Sequence, residues 1–155
     1  MNRVEMNTDE KPTILIIDDS SFNRELFRDL FETDYHILEA ENGMLGANMI
    51  KKYHDQIDLV LLDLMMPVMD GFEVLNIMSQ KKWINTIPVV IISTEDTPSA
   101  IERAYAAGAA DFISRPFNRH ILLHRIKKII KHLYSYRKLM KRLEEQKKSQ
   151  DHVEE

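Results

Sequence analysis

Short runs of branched apolar residues, each closed by polar side chains and separated by stretches of helical spacing, constrain this chain more than any other feature. Four of them are Thr13–Ile17, Leu59–Leu62, Val89–Ile92 and the shorter Phe112–Ile113; a fifth, Tyr35–Glu39, is less hydrophobic and fits a sheet edge. Runs of this length, apolar on both faces, are what a strand covered on both sides requires. Between them apolar residues recur at helical intervals: Phe22, Leu26, Phe27 and Leu30, then Met44, Ala47, Met49 and Ile50. Phe72, Leu75 and Met78 mark a third helix, and Ile101, Ala104, Tyr105 and Ala107 a fourth. Ser20 or Ser21 suits the first N-cap, and Gly108 is placed to end the fourth helix. Five strand–helix alternations predict an α/β fold, a doubly wound parallel sheet with helices on both faces. Right-handed crossovers bring the C-terminal ends of the strands to one edge, where ligands of open α/β sheets bind. The residues that close the strands therefore converge there: Asp18-Asp19, Asp63, Ser93-Thr94 and Ser114-Arg115.

Composition narrows the chemistry available at that edge. With no cysteine among 155 residues, disulfides, thiolate metal sites and cysteine nucleophiles are excluded. No apolar run approaches the roughly 18 residues of a membrane span, and the polar, acidic N-terminus does not read as a secretory signal. A cytoplasmic location, without a membrane partner, is the expectation. The net charge of −4 conceals a split: residues 1–118 carry 10 Lys+Arg against 20 Asp+Glu, while 119–148 carry 11 against 2. An acidic domain joined to a basic helix fits that asymmetry.

Three carboxylates at one sheet edge repel one another unless a cation sits among them. Mg²⁺ suits such a set, because it takes one or two carboxylates and completes its octahedron with water and phosphate oxygens. Asp63, alone at the end of a wholly apolar strand, is the candidate nucleophile, and attack by a carboxylate on phosphorus gives an acyl phosphate. Transferred phosphoryl oxygens then need donors and positive charge, which the Ser93 hydroxyl and the Arg115 guanidinium can offer.

The segments ILIIDDS, DLVLLDLMMPVMDGFEVL, IPVVIISTED and AYAAGAADFISRPF resemble, in content and spacing, the successive signature blocks of bacterial two-component receiver domains. The resemblance covers about residues 12–133 and implies the flavodoxin-like (βα)5 fold with strand order 2-1-3-4-5. It implies Asp63 as the phosphorylated residue and Asp18 and Asp19 as the acidic pair, Asp19 binding Mg²⁺ directly and Asp18 more through water. Met65 would lend its backbone carbonyl to the ion. Ser93 takes the switch hydroxyl position and Phe112 the switch aromatic position. Phosphorylation would draw Ser93 inward and let Phe112 follow, changing the face formed by the fourth helix, fifth strand and fifth helix, roughly Ser99 to Leu133. The implied donor is a sensor histidine kinase or phosphotransfer protein. Two positions depart from the family pattern: Arg115 stands where Lys is usual, and Phe112 where Tyr is common.

Beyond Phe117 helical spacing continues. Leu122, Ile126, Ile129, Leu133, Tyr136, Met140 and Leu143 fall 4-3-4-3-4-3 apart, a heptad seam of about three repeats. The first half equally suits the face of a helix packed on its own domain. The expected organisation is a disordered segment 1–11, a receiver 12–133 and a continuation of the last helix over 134–155 as a parallel dimer stalk. This arrangement resembles linkers that join receivers to output domains, including those that make or degrade cyclic di-GMP.

Other readings are weaker. A haloacid-dehalogenase phosphatase would need Asp two residues after the nucleophile, where Met65 stands, and a flavodoxin would need a phosphate-binding loop where Asp18-Asp19 close the first strand. A receiver that works without phosphorylation, as a dimerisation module, is the rival that Arg115 motivates. His120 and His124 lack a third ligand nearby and read as solvated. The basic run Arg125–Lys148 reads as the outer face of a helix, with no motif for direct nucleic-acid contact. Met65 and Met66 read as packing at the site rim, and Trp83 as surface packing before the fourth strand.

Overall fold

The computed structural model describes residues 10–153. The expectation of disorder for residues 1–11 lies outside them over residues 1–9. Five strands form one parallel sheet in the order β2-β1-β3-β4-β5: β1 (Thr13–Ile17), β2 (His36–Ala40), β3 (Leu59–Leu62), β4 (Val89–Ser93) and β5 (Asp111–Ser114). The helices are α1 (Ser21–Phe31), α2 (Gly43–Tyr53), α3 (Gly71–Gln80), α4 (Pro98–Ala106) and α5 (Arg119–Val153). This is the flavodoxin-like doubly wound α/β fold, with β3 at its centre and the less hydrophobic β2 at an edge.

Alternation along each strand divides the core in two. Ile14, Ile16, Leu59, Leu61, Val90, Ile92 and Ile113 meet Phe27 and Phe31 of α1 and Leu122, Ile126 and Ile130 of α5. Leu15, Ile17, Val60, Leu62, Val89, Ile91 and Phe112 face the other way, toward α2, α3 and α4. The side-chain period of two is what lets one strand serve both layers.

Polar side chains cap the first four helices, Ser20 among them as expected. Ser20 caps α1 by accepting the Asn23 N–H, Asn42 caps α2 through the Leu45 N–H, and Thr97 caps α4 through the Ala100 N–H. Asp70 and Glu73 form a reciprocal capping box at α3. Gly108, at φ +109°, sits just past the end of α4 in the left-handed conformation that glycine permits. Trp83 opens a short 3-10 turn, Trp83–Asn85, between α3 and β4, where its ring stacks on His54.

α5 is one helix of 35 residues, but its apolar residues do not form one stripe. Leu122, Ile126 and Ile130 are buried against the domain, whereas Tyr136, Met140 and Leu143 are exposed together with Leu139. The 4-3 seam thus divides: its first part packs on the chain's own sheet, with Ile130 rather than Ile129 taking the third buried place. None of the helices among the described residues is long and apolar enough to cross a membrane.

Candidate functional site

The site is built from the C-terminal ends of β1, β3, β4 and β5. β1 and β3 are neighbours in parallel register, Ile17 opposite Leu62, so the residues that follow each strand emerge side by side. Asp18, Asp19 and Asp63 each present a carboxylate oxygen, all within 4.8 Å of one another. A cluster of hard oxygen donors at this separation fits a small divalent cation.

Asp18 is 1% exposed and held on several sides. One carboxylate oxygen accepts the Ser20 N–H at 2.9 Å and the other accepts from Arg115 Nη2, also at 2.9 Å. Its backbone carbonyl accepts from Arg24 Nη1 at 2.8 Å, and the Arg24 and Arg28 guanidinium groups in turn pair with Glu39 on β2. Sequence reasoning missed Arg24; its only signal is a cation one turn into the helix that follows the acidic pair.

Asp63 is half-buried and accepts the Met65 N–H at 3.3 Å. Burial pushes its carboxyl up from the ordinary 3.8 to about 6, and the negative charges of Asp18 and Asp19 add to the rise. The Met65 N–H and the Arg115 cation pull in the opposite direction without cancelling it. The Met65 side chain is exposed beside Thr94, whose hydroxyl lies 3.9 Å from its sulfur.

Arg115 lies against the Phe27 ring, its guanidinium carbon 5.4 Å from the ring centre, and Phe27 stacks on Phe117. Its buried Nε–H has no hydrogen-bond partner among the described residues. The peptide bond between Arg115 and Pro116 is cis. Ser93 is fully buried at the end of β4, where its Oγ accepts the Glu95 N–H at 3.1 Å. Phe112 is buried in β5 within the layer that packs on α4, two residues along the strand from Ser114, the register partner of Ser93. Ser93 and Phe112 thus stand near the acidic cluster in the fold but outside its ion-pair network.

The loop after β3 brings two backbone features to the site. A Cβ on Gly71 would stand 2.4 Å from the Asp63 carbonyl oxygen and 2.8 Å from Leu64 Cα, so only glycine fits there. Val68 has φ +70° and centres a three-residue turn closed by the Met69 N–H on the Pro67 carbonyl. A β-branched residue in that conformation is strained, and strain of this kind gathers near functional loops.

Known proteins resemble this chain in sequence and fold. Residues 14–127 match the family model described as the response regulator receiver domain. A chemotaxis protein CheY of Halobacterium salinarum is 30% identical over 118 residues, 76% of this chain and 95% of its own length. A probable cyclic di-GMP phosphodiesterase of Vibrio cholerae is 32% identical over 114 residues; the match takes 74% of this chain but only 25% of that protein. Among solved structures, a chain of a CheX–CheY–BeF3–Mg complex from Borrelia burgdorferi superposes with a TM-score of 0.74 at 26% identity, covering 83% of this chain and 98% of that one. The fold, the acidic cluster at the strand ends and these matches agree: the chain belongs to the family of response regulator receiver domains of two-component systems.

Proposed function

We propose that this chain is a phosphorylation-controlled switch in which Asp63 accepts a phosphoryl group from a sensor histidine kinase or a phosphotransfer protein. One observation carries the reading: three carboxylates converge within 4.8 Å, and one of them, the half-buried Asp63, directly follows the central strand. Their donor chemistry suits Mg²⁺ held by Asp19 and Asp63, by Asp18 through water and by the Met65 carbonyl. When bound, the ion supplies the positive charge that lets these carboxylates coexist and that offsets the phosphoryl oxygens.

An Asp63 oxygen attacks the phosphorus of a phosphohistidine, the new O–P bond forms as the N–P bond breaks, and the imidazole leaves with that electron pair. Ionised Asp63 is the reactive form; burial and the neighbouring acids disfavour it in the metal-free site, and a cation bound among the carboxylates would favour it. Ser93 and Arg115 bind the phosphoryl oxygens. To do so the Ser93 hydroxyl turns from the Glu95 N–H and the Arg115 guanidinium swings part of its fork away from Asp18. The space that Ser93 vacates admits Phe112, which reshapes the face of α4, β5 and α5.

The signal leaves through that face and through the exposed stripe Tyr136, Leu139, Met140 and Leu143, which pairs with a second copy to form a dimer. A cyclic di-GMP pathway is one output consistent with the Vibrio relative. The chain acts in the cytoplasm, where its phosphodonor resides. The Arg115–Asp18 ion pair favours one rival, a dimerisation module that takes no phosphoryl group.

Intact-mass measurement after incubation with acetyl phosphate and Mg²⁺ tests the reading. Wild type should gain one phosphoryl group and Asp63→Asn none. No adduct on either would leave the dimerisation module standing and overturn the switch.

A further inference from the structure

The opposite end of β3 carries a second, separate ion pair. Asp58, immediately before Leu59, is fully buried; one carboxylate oxygen accepts the Thr13 N–H at 2.8 Å, and its own N–H donates to the Thr13 carbonyl at 2.9 Å. The other oxygen accepts from Arg137 Nη1 at 2.9 Å. Arg137 lies far along α5, beyond the turns that carry the buried Leu122, Ile126 and Ile130, and its guanidinium carbon stands 5.6 Å from the centre of the Tyr134 ring. Tyr136, the first residue of the exposed apolar stripe, is its immediate neighbour in the chain.

A helix leaving a domain needs a lateral restraint to hold one direction, because backbone hydrogen bonds stiffen it along its axis but do not fix its angle to the body. Arg137 supplies that restraint. Its guanidinium is partly buried, Asp58 cannot move without disturbing the β1–β3 pairing, and a buried charge without its partner is strongly disfavoured. We infer that Arg137 is a positioning residue which clamps the α5 extension to the start of β3, so that the extension projects at a fixed angle to the sheet. Asp63 follows the strand so clamped, so the proposed phosphoacceptor and the root of the extension flank one four-residue strand. The inference does not depend on phosphorylation or dimerisation.

The absence of cysteine makes the test direct. Spin labels at Glu25→Cys on α1 and Ser149→Cys near the end of α5 report the angle of the extension by pulsed dipolar EPR, with labelled chain diluted into unlabelled chain. Ser149 lies about 18 Å beyond Arg137 along the helix axis, so a swing of about 20° displaces the label by about 6 Å. The clamped chain gives one narrow distance peak. Arg137→Ala and Asp58→Asn should each broaden it, while amide exchange stays slow from Leu122 to Ile130. Asp58→Asn decides the matter if Arg137→Ala does not fold, because an amide oxygen can still accept the Thr13 N–H. Peaks as narrow as wild type in the folded variants would overturn the inference. So would broadening accompanied by lost protection over Leu122–Ile130, which would make the pair a general stabiliser and not a clamp.

Discussion

Removing the Asp63 charge should stabilise the metal-free protein at neutral pH, although it destroys the proposed function. The carboxyl is pushed from 3.8 to about 6, chiefly by burial and then by Asp18. A raised carboxyl pKa favours the protonated native state, so its contribution to stability is complete below pH 3.8 and is lost as the pH rises through about 6. At roughly 1.4 kcal/mol per pH unit the full effect is about 3 kcal/mol. The carboxyl is partly exposed, and solvent screening reduces this to about 1–2 kcal/mol. Asp63→Asn keeps the shape and can still accept the Met65 N–H. It should therefore raise the melting temperature by about 3–6 °C at pH 7 in the presence of chelator. By pH 4 the gap should close, since wild-type Asp63 is then largely neutral as well. Calorimetry across that range, with and without Mg²⁺, is the assay. Saturating Mg²⁺ should raise the wild-type melting temperature more than that of the variant, and the difference should shrink below pH 6 as protons compete for the site. A variant no more stable than wild type at pH 7, or a gap that persists at pH 4, would refute the electrostatic account of this site.

Other consequences follow from the loop after β3 and from α5. Gly71→Ala drives a methyl into the Asp63 carbonyl and should cost about 1–3 kcal/mol in chemical denaturation, with a matching loss of phosphoryl uptake. Val68→Gly relieves a β-branched residue at φ +70° and should stabilise by roughly 0.5–1 kcal/mol, net of the extra freedom glycine gives the unfolded chain; equal or lower stability would mean that the turn is not strained. Met140→Asp combined with Leu143→Asp should abolish self-association in sedimentation velocity while the domain melts as before, and an unchanged sedimentation coefficient would remove the stripe as the dimer contact.

The sheet was largely readable from residue types because burial on both faces leaves an unbroken apolar run. β1 and β3 begin and end where their branched residues do. The edges were harder. β2 runs from His36 to Ala40, one residue later than its hydrophobicity suggests, and β5 gains Asp111 and Ser114, because hydrogen bonding to a single neighbour fixes those limits. The acidic cluster was readable as well, since crossover topology sends Asp18, Asp19 and Asp63 to one edge whatever the loops do. What spacing could not supply is partner choice between distant side chains. Arg115 engages Asp18, Arg24 holds the carbonyl of Asp18, and Arg137 reaches Asp58 across 79 positions. Heptad spacing alone also cannot distinguish Ile129 from Ile130. The decision between them comes from the sheet against which α5 happens to lie.

Asp63 is the proposed acceptor, and its modification can be located directly. Acetyl phosphate and Mg²⁺ treatment, borohydride reduction of the acyl phosphate and peptide sequencing by mass spectrometry would locate the modification to a single residue. Reduction should convert Asp63 alone, and chelator during the phosphorylation step should abolish the conversion. Conversion at another carboxylate, or equal conversion with chelator present, would contradict it.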